Sequence, residues 1–462
     1  MKKYCLVLLA ILTLLPAASV TAQTGALKLP AYQKVKLKNG LEILLMERHG
    51  IPLVSFDFLV KTGSVSDPEG KEGLASLTAE LLREGTKSRS ADKMSDELDY
   101  VGGTLALRPF NDYTNVSAEF MTKDIGTGLD LLSDMFLNPA FPEDEVNKAL
   151  KQRIDGIKAA KDRVQGVIGN YFASYLYGSH PYGRPIGGDE KSLAAITRDD
   201  VVKFYQTYYA PGNTILAIAG DFDAPEMQRM LESRFGAWEP RTVPAIDLPQ
   251  PVAAKGKRLL LVDKPDSVQT YFVIGNVGIN RTNPDRVYIE VVNTLFGGRF
   301  TSMINSALRI NSGLTYGAFS SFAMRKVAGP FSISSFTRNA TTEKTLDMAL
   351  EVIKRLHEDG ITEEQLKSAK SYIKGQFPTS METSDQLASL IAQLEFYGLD
   401  ESEVNARFAK IDAMTVADAR RVIKDYFPLD DLVFVVVGKG SEIEGVAKKY
   451  ATKMDIKSIS QP

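Results

Sequence analysis

The chain repeats one plan twice, and this duplication limits it to a fold built from two similar halves. In the first half, a threonine-capped amphipathic segment (196–209) precedes an apolar, β-branched stretch (214–220). Residues 415–427 and 432–438 repeat this pair at one common offset. A capped 3.6-residue periodicity followed by a short apolar run is typical of a helix and then a buried strand. The sequence therefore predicts the same helix and strand at the end of each half.

The beginnings of the two halves also correspond. Alternating, β-branched stretches open them at 41–45 and 52–60 in the first half and at 258–262 and 268–274 in the second, which predicts two strands in each. Strands, then helices, then a closing strand and helix are typical of layered α+β folds. We therefore expect two homologous α/β sandwich domains, duplicated half-shells that each consist of a mostly antiparallel sheet covered by helices. The predicted helices are 91–101, 125–137, 142–162, 224–235, 285–296, 301–309, 342–358, 362–377, 384–397 and 441–450.

The chain begins with a secretory signal peptide pattern at residues 1–22. Basic residues precede an apolar run, and small residues precede a cut after Ala22. The run is shorter than the roughly 20 residues that span a bilayer, which disfavours a membrane anchor. Cys5 precedes the apolar core, which argues against a lipoprotein. We expect export to the periplasm of a Gram-negative bacterium, without membrane attachment after cleavage.

The rest of the chain divides into an N-terminal domain (23–238), a linker (239–256) and a C-terminal domain (257–462). The linker is rich in proline and lacks periodicity. Cys5 is the single cysteine, so the mature chain forms no disulfide. A net charge of −2 gives no basic surface for nucleic acid.

Residues 72–86 have the outline of a metal-binding helix without its ligands. An inverted zinc motif, His-x-x-Glu-His, places two histidines on one helical face beside a general-base carboxylate. The corresponding five residues run from Ser76 to Glu80, with Ala79 at the carboxylate position. The pattern favours Glu80 as an exposed charge opposite an apolar stripe. Ser76 as a hydrolase nucleophile needs a nearby base, which the sequence does not supply.

Three histidines occur in the whole chain, and none is spaced to share a helical face with another. His49, His180 and His357 would have to converge in space to bind zinc. The sequence favours the simpler interpretation, in which His180 belongs to a loop and His357 to the polar end of a helix.

Several short motifs together resemble the pitrilysin/insulinase-type zinc metallopeptidases, in particular their mitochondrial-processing-peptidase-like bacterial branch. The resemblance extends over nearly the whole mature chain. The motifs are Asn39-Gly40-Leu41, Gly63-Ser64, Glu72-Gly73-Leu74-Ala75, Gly85-Thr86, His180-Pro181-Tyr182-Gly183-Arg184-Pro185 and Tyr208-Tyr209-Ala210-Pro211-Gly212-Asn213.

The resemblance implies that the family's zinc histidines fall on Ser76 and Glu80, and its catalytic glutamate on Ala79. A third ligand, a glutamate in the family, falls near 151–157, where Asp155 is the only carboxylate. This set is a poor zinc site without imidazole. We therefore expect no cofactor in this chain.

The resemblance also implies a role for Arg309 and Tyr316. In the family, an arginine and a tyrosine at this separation reach the substrate peptide bond from the C-terminal domain. A guanidinium and a phenol can hold a carbonyl and stabilise its oxyanion. The structural alternative is an arginine that caps its helix and a tyrosine that fills a core position.

Some family members divide these elements between two chains, and this sequence has the pattern of the zinc-less chain. It predicts the non-catalytic subunit of a periplasmic heterodimeric zinc metallopeptidase. Its partners would be an HxxEH-bearing homologous subunit, which holds the zinc, and short unfolded peptides. The alternative is a stand-alone pseudoenzyme that acts as a peptide-binding or scaffolding protein.

Overall fold

The computed structural model of the protein describes residues 27–460. The predicted signal peptide, including Cys5, lies outside these residues. No helix between 27 and 460 combines the length and the apolar character needed to cross a bilayer.

The first half of the described chain contains six strands and eight α-helices. The strands are β1 (Gln33–Lys36), β2 (Glu42–Glu47), β3 (Leu53–Val60), β4 (Thr104–Pro109), β5 (Thr114–Met121) and β6 (Thr214–Gly220). The helices are α1 (Leu74–Leu81), α2 (Ala91–Tyr100), α3 (Ile125–Leu137), α4 (Glu143–Ala160), α5 (Val164–Tyr177), α6 (Glu190–Ala194), α7 (Arg198–Tyr208) and α8 (Ala224–Phe235).

The second half contributes six strands and nine α-helices within the same described range. The strands are β7 (Arg258–Asp263), β8 (Gln269–Val277), β9 (Ala318–Phe322), β10 (Pro330–Arg338), β11 (Val433–Gly438) and β12 (Lys453–Ser458). The helices are α9 (Arg286–Asn293), α10 (Met303–Asn305), α11 (Thr342–Asp359), α12 (Glu363–Gln376), α13 (Ser384–Phe396), α14 (Ser402–Asn405), α15 (Arg407–Ala413), α16 (Val416–Tyr426) and α17 (Gly440–Ala447).

The strands form two six-stranded mixed sheets, which confirms the predicted α+β architecture of two similar halves. The orders are β1-β2-β6-β3-β5-β4 and β12-β7-β11-β8-β10-β9, so five strands of each sheet correspond. The sixth differs, because β1 pairs antiparallel with β2 whereas β12 pairs parallel with β7. The hairpins β4–β5 and β9–β10 and strand β12 were not predicted, although the alternating burial of β5 and β10 reflects a period of two.

The repeated helices α7 and α16 begin at matching caps. Thr197 accepts a hydrogen bond from the backbone N–H of Asp200, and Thr415 accepts one from that of Asp418. Each aspartate in turn accepts from the backbone N–H of its threonine, at 2.8 Å in both helices. These capping boxes satisfy backbone donors that a helix start would otherwise leave unpaired. The local signal read from the sequence is therefore the physical reason that both helices start where they do.

The two halves cover each other's sheets with one helix each. Helix α5 of the first half packs against β8 and β11, and α13 of the second half packs against β3 and β6. Leu387 and Ile391 of α13 are fully buried in a cluster with Ile215 of β6. Full burial of such a side chain contributes about 1.5–3 kcal/mol. Each sheet therefore lies between helices of its own half and one helix of the other.

A buried carboxylate, Asp57 of β3, lies under the exchanged helix α13. It is 3% exposed and accepts a hydrogen bond of 2.7 Å from Asn115 Nδ2. Burial raises the pKa of Asp57 to about 6, hydrogen bonds from Asn115 and Ser389 of α13 oppose this shift, and the charge of Asp385 adds to it. The contact between the halves therefore contains a group that titrates in mildly acidic solution.

We expect Asp57→Asn to change the pH dependence of stability. Because the folded-state pKa of Asp57 lies above its unfolded value, the protonated carboxyl stabilises the fold at low pH, and this contribution is lost as pH rises through about 6. The variant cannot ionise, so its stability relative to wild type should be higher at about pH 8 than at about pH 4.5, by roughly 2 kcal/mol. Denaturant unfolding at the two pH values measures this. Asp155→Asn, at an exposed carboxylate, is the control, and an equal Asp57→Asn effect at both pH values would contradict the prediction.

Candidate functional site

The helix that carries the degenerate zinc motif begins in a tightly packed loop. Gly73 has φ +97°, and a Cβ there would lie 2.8 Å from the carbonyl oxygen of Gly187. Asp67 accepts hydrogen bonds from the backbone N–H groups of Gly73 (2.8 Å) and Ala75 (2.7 Å). Burial raises the pKa of Asp67 to about 7, although the two N–H bonds favour the ionised form and lower the pKa. These contacts fix the start and direction of α1.

An arginine occupies the place between the two degenerate ligand positions. Arg153 of α4 donates from Nε to Glu80 Oε2 (2.7 Å) and from Nη1 to Ser76 Oγ (2.9 Å). Its Nη2 donates to the carbonyl oxygen of Ser76 at 2.9 Å and lies 2.5 Å from Glu80 Oε2. Ser76 and Ala79 are buried, at 6% and 1% exposure. The guanidinium fork thus joins α1 to α4.

Glu80 is partly exposed, as the helical pattern favoured, and it is also paired, which the pattern did not indicate. Its side chain retains 38% exposure, but the carboxylate is bound by Arg153. Arg153 itself was missed as a functional residue, although it lies in the segment where the resemblance implied a third ligand. Asp155, the carboxylate considered there, is 54% exposed and accepts a 2.6 Å bond from Lys151.

These residues do not fit a zinc ion. The hydroxyl of Ser76 and the carboxylate of Glu80 both bind a fixed positive charge, and zinc sites take imidazole, thiolate or free carboxylate ligands. Within residues 27–460, no group of three or more His, Cys, Asp or Glu side chains is arranged to hold a metal. The guanidinium beside Ser76 is also not a general base, so the arrangement does not activate this hydroxyl as a nucleophile.

The three histidines lie apart from one another, and each has its own hydrogen-bond partner. His49 Nδ1 lies 2.8 Å from Asp221 Oδ1, and this hydrogen bond raises the pKa of His49. His180 Nε2 lies 2.9 Å from the carbonyl oxygen of Pro249, in the segment that joins the halves. His357 Nε2 lies 2.8 Å from that of Phe427.

Arg309 lies in a wide helical turn rather than in the predicted helix 301–309. Helix α10 ends after Asn305 and a π-type turn, Ser306–Asn311, follows. Asn305 is buried; its Nδ2 donates to the carbonyl oxygen of Phe300, and its Oδ1 accepts from the backbone N–H of Ala318. These bonds tie the short helix to the start of β9. Turns of this type interrupt helices frequently at functional sites.

The side chains of Arg309 and Tyr316 are accessible. The guanidinium of Arg309 lies over the ring of Phe300, 4.7 Å from its centroid, and makes no ion pair with any described residue. Tyr316 is 80% exposed. Tyr316 is therefore not a core residue, whereas Arg309 lies in the last turn of its helical segment, the position that the capping alternative describes.

Three exposed apolar side chains lie near these two residues in the chain, and we call the five residues together the Tyr316 surface. Phe300, Ile310 and Phe319 are each about half exposed. Together with Arg309 and Tyr316 they occupy consecutive segments before and within β9. No hydrogen bond or ion pair in the described chain connects this surface to Arg153.

Two family models match successive stretches of the chain. "Insulinase (Peptidase family M16)" matches residues 43–190, and "Peptidase M16 inactive domain" matches residues 195–373. An uncharacterized zinc protease of Bacillus subtilis, YmxG, is 25% identical over 76% of this chain and 85% of the relative. An uncharacterized zinc protease of Streptomyces coelicolor, SCO5738, is 24% identical over 85% of this chain and 86% of the relative.

Solved structures share the fold. A peptidase M16 inactive domain from Pseudomonas fluorescens superposes with a TM-score of 0.83, at 24% identity over 88% of this chain and 98% of that one. A protease from Helicobacter pylori has the same TM-score, at 21% identity over 89% and 100% of the two chains. The chain belongs to the M16 family of pitrilysin/insulinase-type peptidases, and its helix α1 contains no histidine or cysteine.

We expect the purified mature chain to contain far less than about one zinc per molecule, because Arg153 binds both donors. Restoring the motif with Ser76→His, Ala79→Glu and Glu80→His should leave zinc affinity poor, since the guanidinium repels a divalent cation. Adding Arg153→Ala should raise the affinity at least about tenfold. Zinc titration monitored by elemental analysis and competition with a chelator measures this. Equal affinity with and without Arg153 would contradict the prediction.

Proposed function

We propose that this chain is the zinc-less subunit of a two-chain peptidase in the periplasm. In this proposal an HxxEH-bearing homologue supplies the metal and the general base. This chain supplies Arg309 and Tyr316, and it binds the peptide. The proposal rests on a contrast between α1 and the Tyr316 surface. On α1, Arg153 binds Ser76 at a position where the family has a zinc ligand, whereas Tyr316 is 80% exposed.

The chemistry of the pair supports this role. A peptide carbonyl that is attacked becomes an oxyanion, and donors already in place stabilise that charge. The guanidinium of Arg309 remains charged at neutral pH and offers a planar fork, and the phenol of Tyr316 adds a neutral donor. Because Arg309 makes no ion pair in the described chain, its charge is available to a substrate.

The position of β9 supports peptide binding near the pair. β9 begins two residues after Tyr316 and forms an edge of the second sheet. On its outer edge, the Ala318 N–H and the Ser320 carbonyl already bind Asn305 and Asn293 within the chain, and an extended peptide would add as a further strand at the backbone groups that these bonds leave. Main-chain bonds of this kind give affinity without strict sequence specificity, which suits short unfolded peptides.

The Tyr316 surface supports pairing with another chain. Phe300, Ile310 and Phe319 are each about half exposed and occur within 20 residues of chain that also contain Arg309 and Tyr316. An apolar patch with a charged rim is typical of a protein interface. If the chain were instead a scaffold that never takes part in hydrolysis, the same patch would mediate binding but the two polar side chains would not affect a rate.

Tyr316→Phe and Arg309→Lys should lower the rate of peptide cleavage by the reconstituted pair while complex formation stays normal. Loss of one oxyanion donor typically costs about 10²–10³ in turnover, and a lysine cannot reproduce the guanidinium fork. The double variant should lose less than the product of the single losses if both groups act on one oxygen. Cleavage of a fluorogenic peptide, with the assembly of each variant checked first, measures this.

Tyr100→Phe is the matched control for the tyrosine, because Tyr100 is 91% exposed on α2 and removed from the proposed site. Arg241→Lys is the control for the arginine, since Arg241 also lies over an aromatic ring, that of Tyr205. Wild-type rates in both Tyr316→Phe and Arg309→Lys would favour the scaffold over the peptidase subunit.

Phe319→Asp should weaken pairing with the HxxEH-bearing homologue at least about tenfold, because it places a charge within an apolar contact. The wild-type pair should bury more than roughly 2,000 Å² in total, the size of an obligate interface. Val268→Asp, at an apolar residue that is 81% exposed elsewhere, should leave pairing unchanged. Sedimentation of the mixed chains at micromolar concentration measures this, and a wild-type mixture that remains two monomers would refute the proposed pairing.

A further inference from the structure

A cavity of about 380 Å³ lies where the two halves meet. It is bordered by the β4–β5 turn, by the segment after β9 and by the end of α13. We call it the junction cavity and define it by Phe110, Arg281, Phe322, Met324, Arg325 and Tyr397, which line it. Its volume lies within the range of small-molecule sites, roughly 300–1,000 Å³.

Arg325 brings an unpaired positive charge to this cavity. Its guanidinium lies over the ring of Tyr182, 4.8 Å from the centroid, and it makes no ion pair within residues 27–460. Its Nη1 is buried and has no hydrogen-bond partner among those residues. A buried donor without a partner costs stability, typically about 1–3 kcal/mol and more for a charged group.

The neighbouring carboxylate does not neutralise Arg325. Asp112 accepts hydrogen bonds from Tyr182 Oη (2.7 Å) and from the backbone N–H of Lys326 (2.9 Å). No ion pair forms between Asp112 and Arg325 among residues 27–460, so the carboxylate and the guanidinium lie beyond ion-pair distance. Asp112 therefore holds the loop that positions Arg325 rather than binding its charge.

Arg281, the second arginine of the cavity, shares the carboxylate of Glu403 with Arg286. Arg281 Nη1 donates to Glu403 Oε1 at 2.9 Å, and Arg286 Nε donates to the same oxygen at 3.0 Å. One carboxylate thus serves two guanidinium groups. Burial lowers the pKa of Arg281, so its charge is incompletely solvated.

The charges around the cavity therefore sum to an excess of one positive charge, with three arginines (281, 286 and 325) against two carboxylates (Asp112 and Glu403). An excess of positive charge in a cavity attracts anions, and the partly buried walls strengthen this attraction. The guanidinium fork matches a carboxylate, and Phe110, Phe322 and Met324 offer apolar surface beside it. An organic carboxylate with an apolar side chain matches both features.

We infer that the junction cavity binds the C-terminal carboxylate of a short peptide whose last side chain is apolar. This inference deepens the peptide-binding part of the proposed function and gives its substrate class. Arg325 binds the carboxylate, and the aromatic and methionine side chains contact the last residue. The carboxylate contacts the part of the Arg325 guanidinium that lines the cavity, because the partnerless Nη1 is buried.

Isothermal titration of the mature chain alone with acetyl-Ala-Ala-Phe, at low ionic strength, tests this inference. The free acid should bind and its C-terminal amide should not. Arg325→Gln should weaken binding about 10–100-fold, which corresponds to loss of a charge-assisted hydrogen bond, and Arg325→Lys should restore part of it. Arg241→Gln removes another arginine that lies over a tyrosine ring and should leave binding unchanged.

Thermal unfolding separates a binding role of Arg325 from a structural one. Arg325→Gln should leave the melting temperature equal or higher, because an unpaired buried charge is removed. Ala323→Leu fills the cavity without changing its charge and should also abolish binding. This variant replaces Arg325→Gln in the test if Arg325→Gln does not fold.

Equal binding of the acid and the amide, no binding of the acid, or unchanged binding by Arg325→Gln would overturn the inference. Inorganic phosphate that binds in an Arg325-dependent way while the peptide acid does not would assign the cavity to a free oxyanion and also overturn it. The experiment contains no partner chain, so its failure leaves the role proposed for Arg309 and Tyr316 intact. Failure of that role would likewise leave a measured affinity for the peptide acid in place.

Discussion

The exchange of α5 and α13 between the halves is the constraint on which the other features depend. A sheet with two apolar faces needs a layer on each, and here the second layer comes from the other half of the chain. The exchange places the buried Asp57 under α13 and brings the end of α13 to the junction cavity. The relative position of the halves is therefore set by core packing and not by the proline-rich segment alone.

Arg153 connects α1 to α4 at the positions where the family resemblance places metal ligands. In a zinc site a cation holds ligands from two helices together. Here the guanidinium makes the corresponding connection, because it is a cation with several donors and reaches Ser76 and Glu80 from α4. Unlike a metal, it has no exchangeable position for water or substrate. Arg153 therefore provides a positive charge and a connection between α1 and α4, but it is not a Lewis acid.

The polar groups that remain available lie in the second half and at the junction of the halves. Arg309 and Tyr316 are held by a turn that the buried Asn305 ties to β9, so they are exposed on a fixed support. Arg325 is held beside Tyr182 by the loop that Asp112 binds. Such placements are typical of binding residues, which rigid elements position and loops present. They leave these side chains available to the peptide that we propose this chain binds.

The sequence by itself determined what depends on neighbouring residues: the caps at Thr197 and Thr415, the repeated order of elements, and the absence of imidazole from the motif helix. Only the tertiary structure decided that Arg153 binds Ser76, because the two are 77 residues apart and their contact depends on how α1 packs on α4. The exchange of helices and the charge balance of the junction cavity were likewise decided only by the tertiary structure. Periodicity and capping act within a few residues, whereas the group that fills the space between two elements is set by the packing of the whole chain.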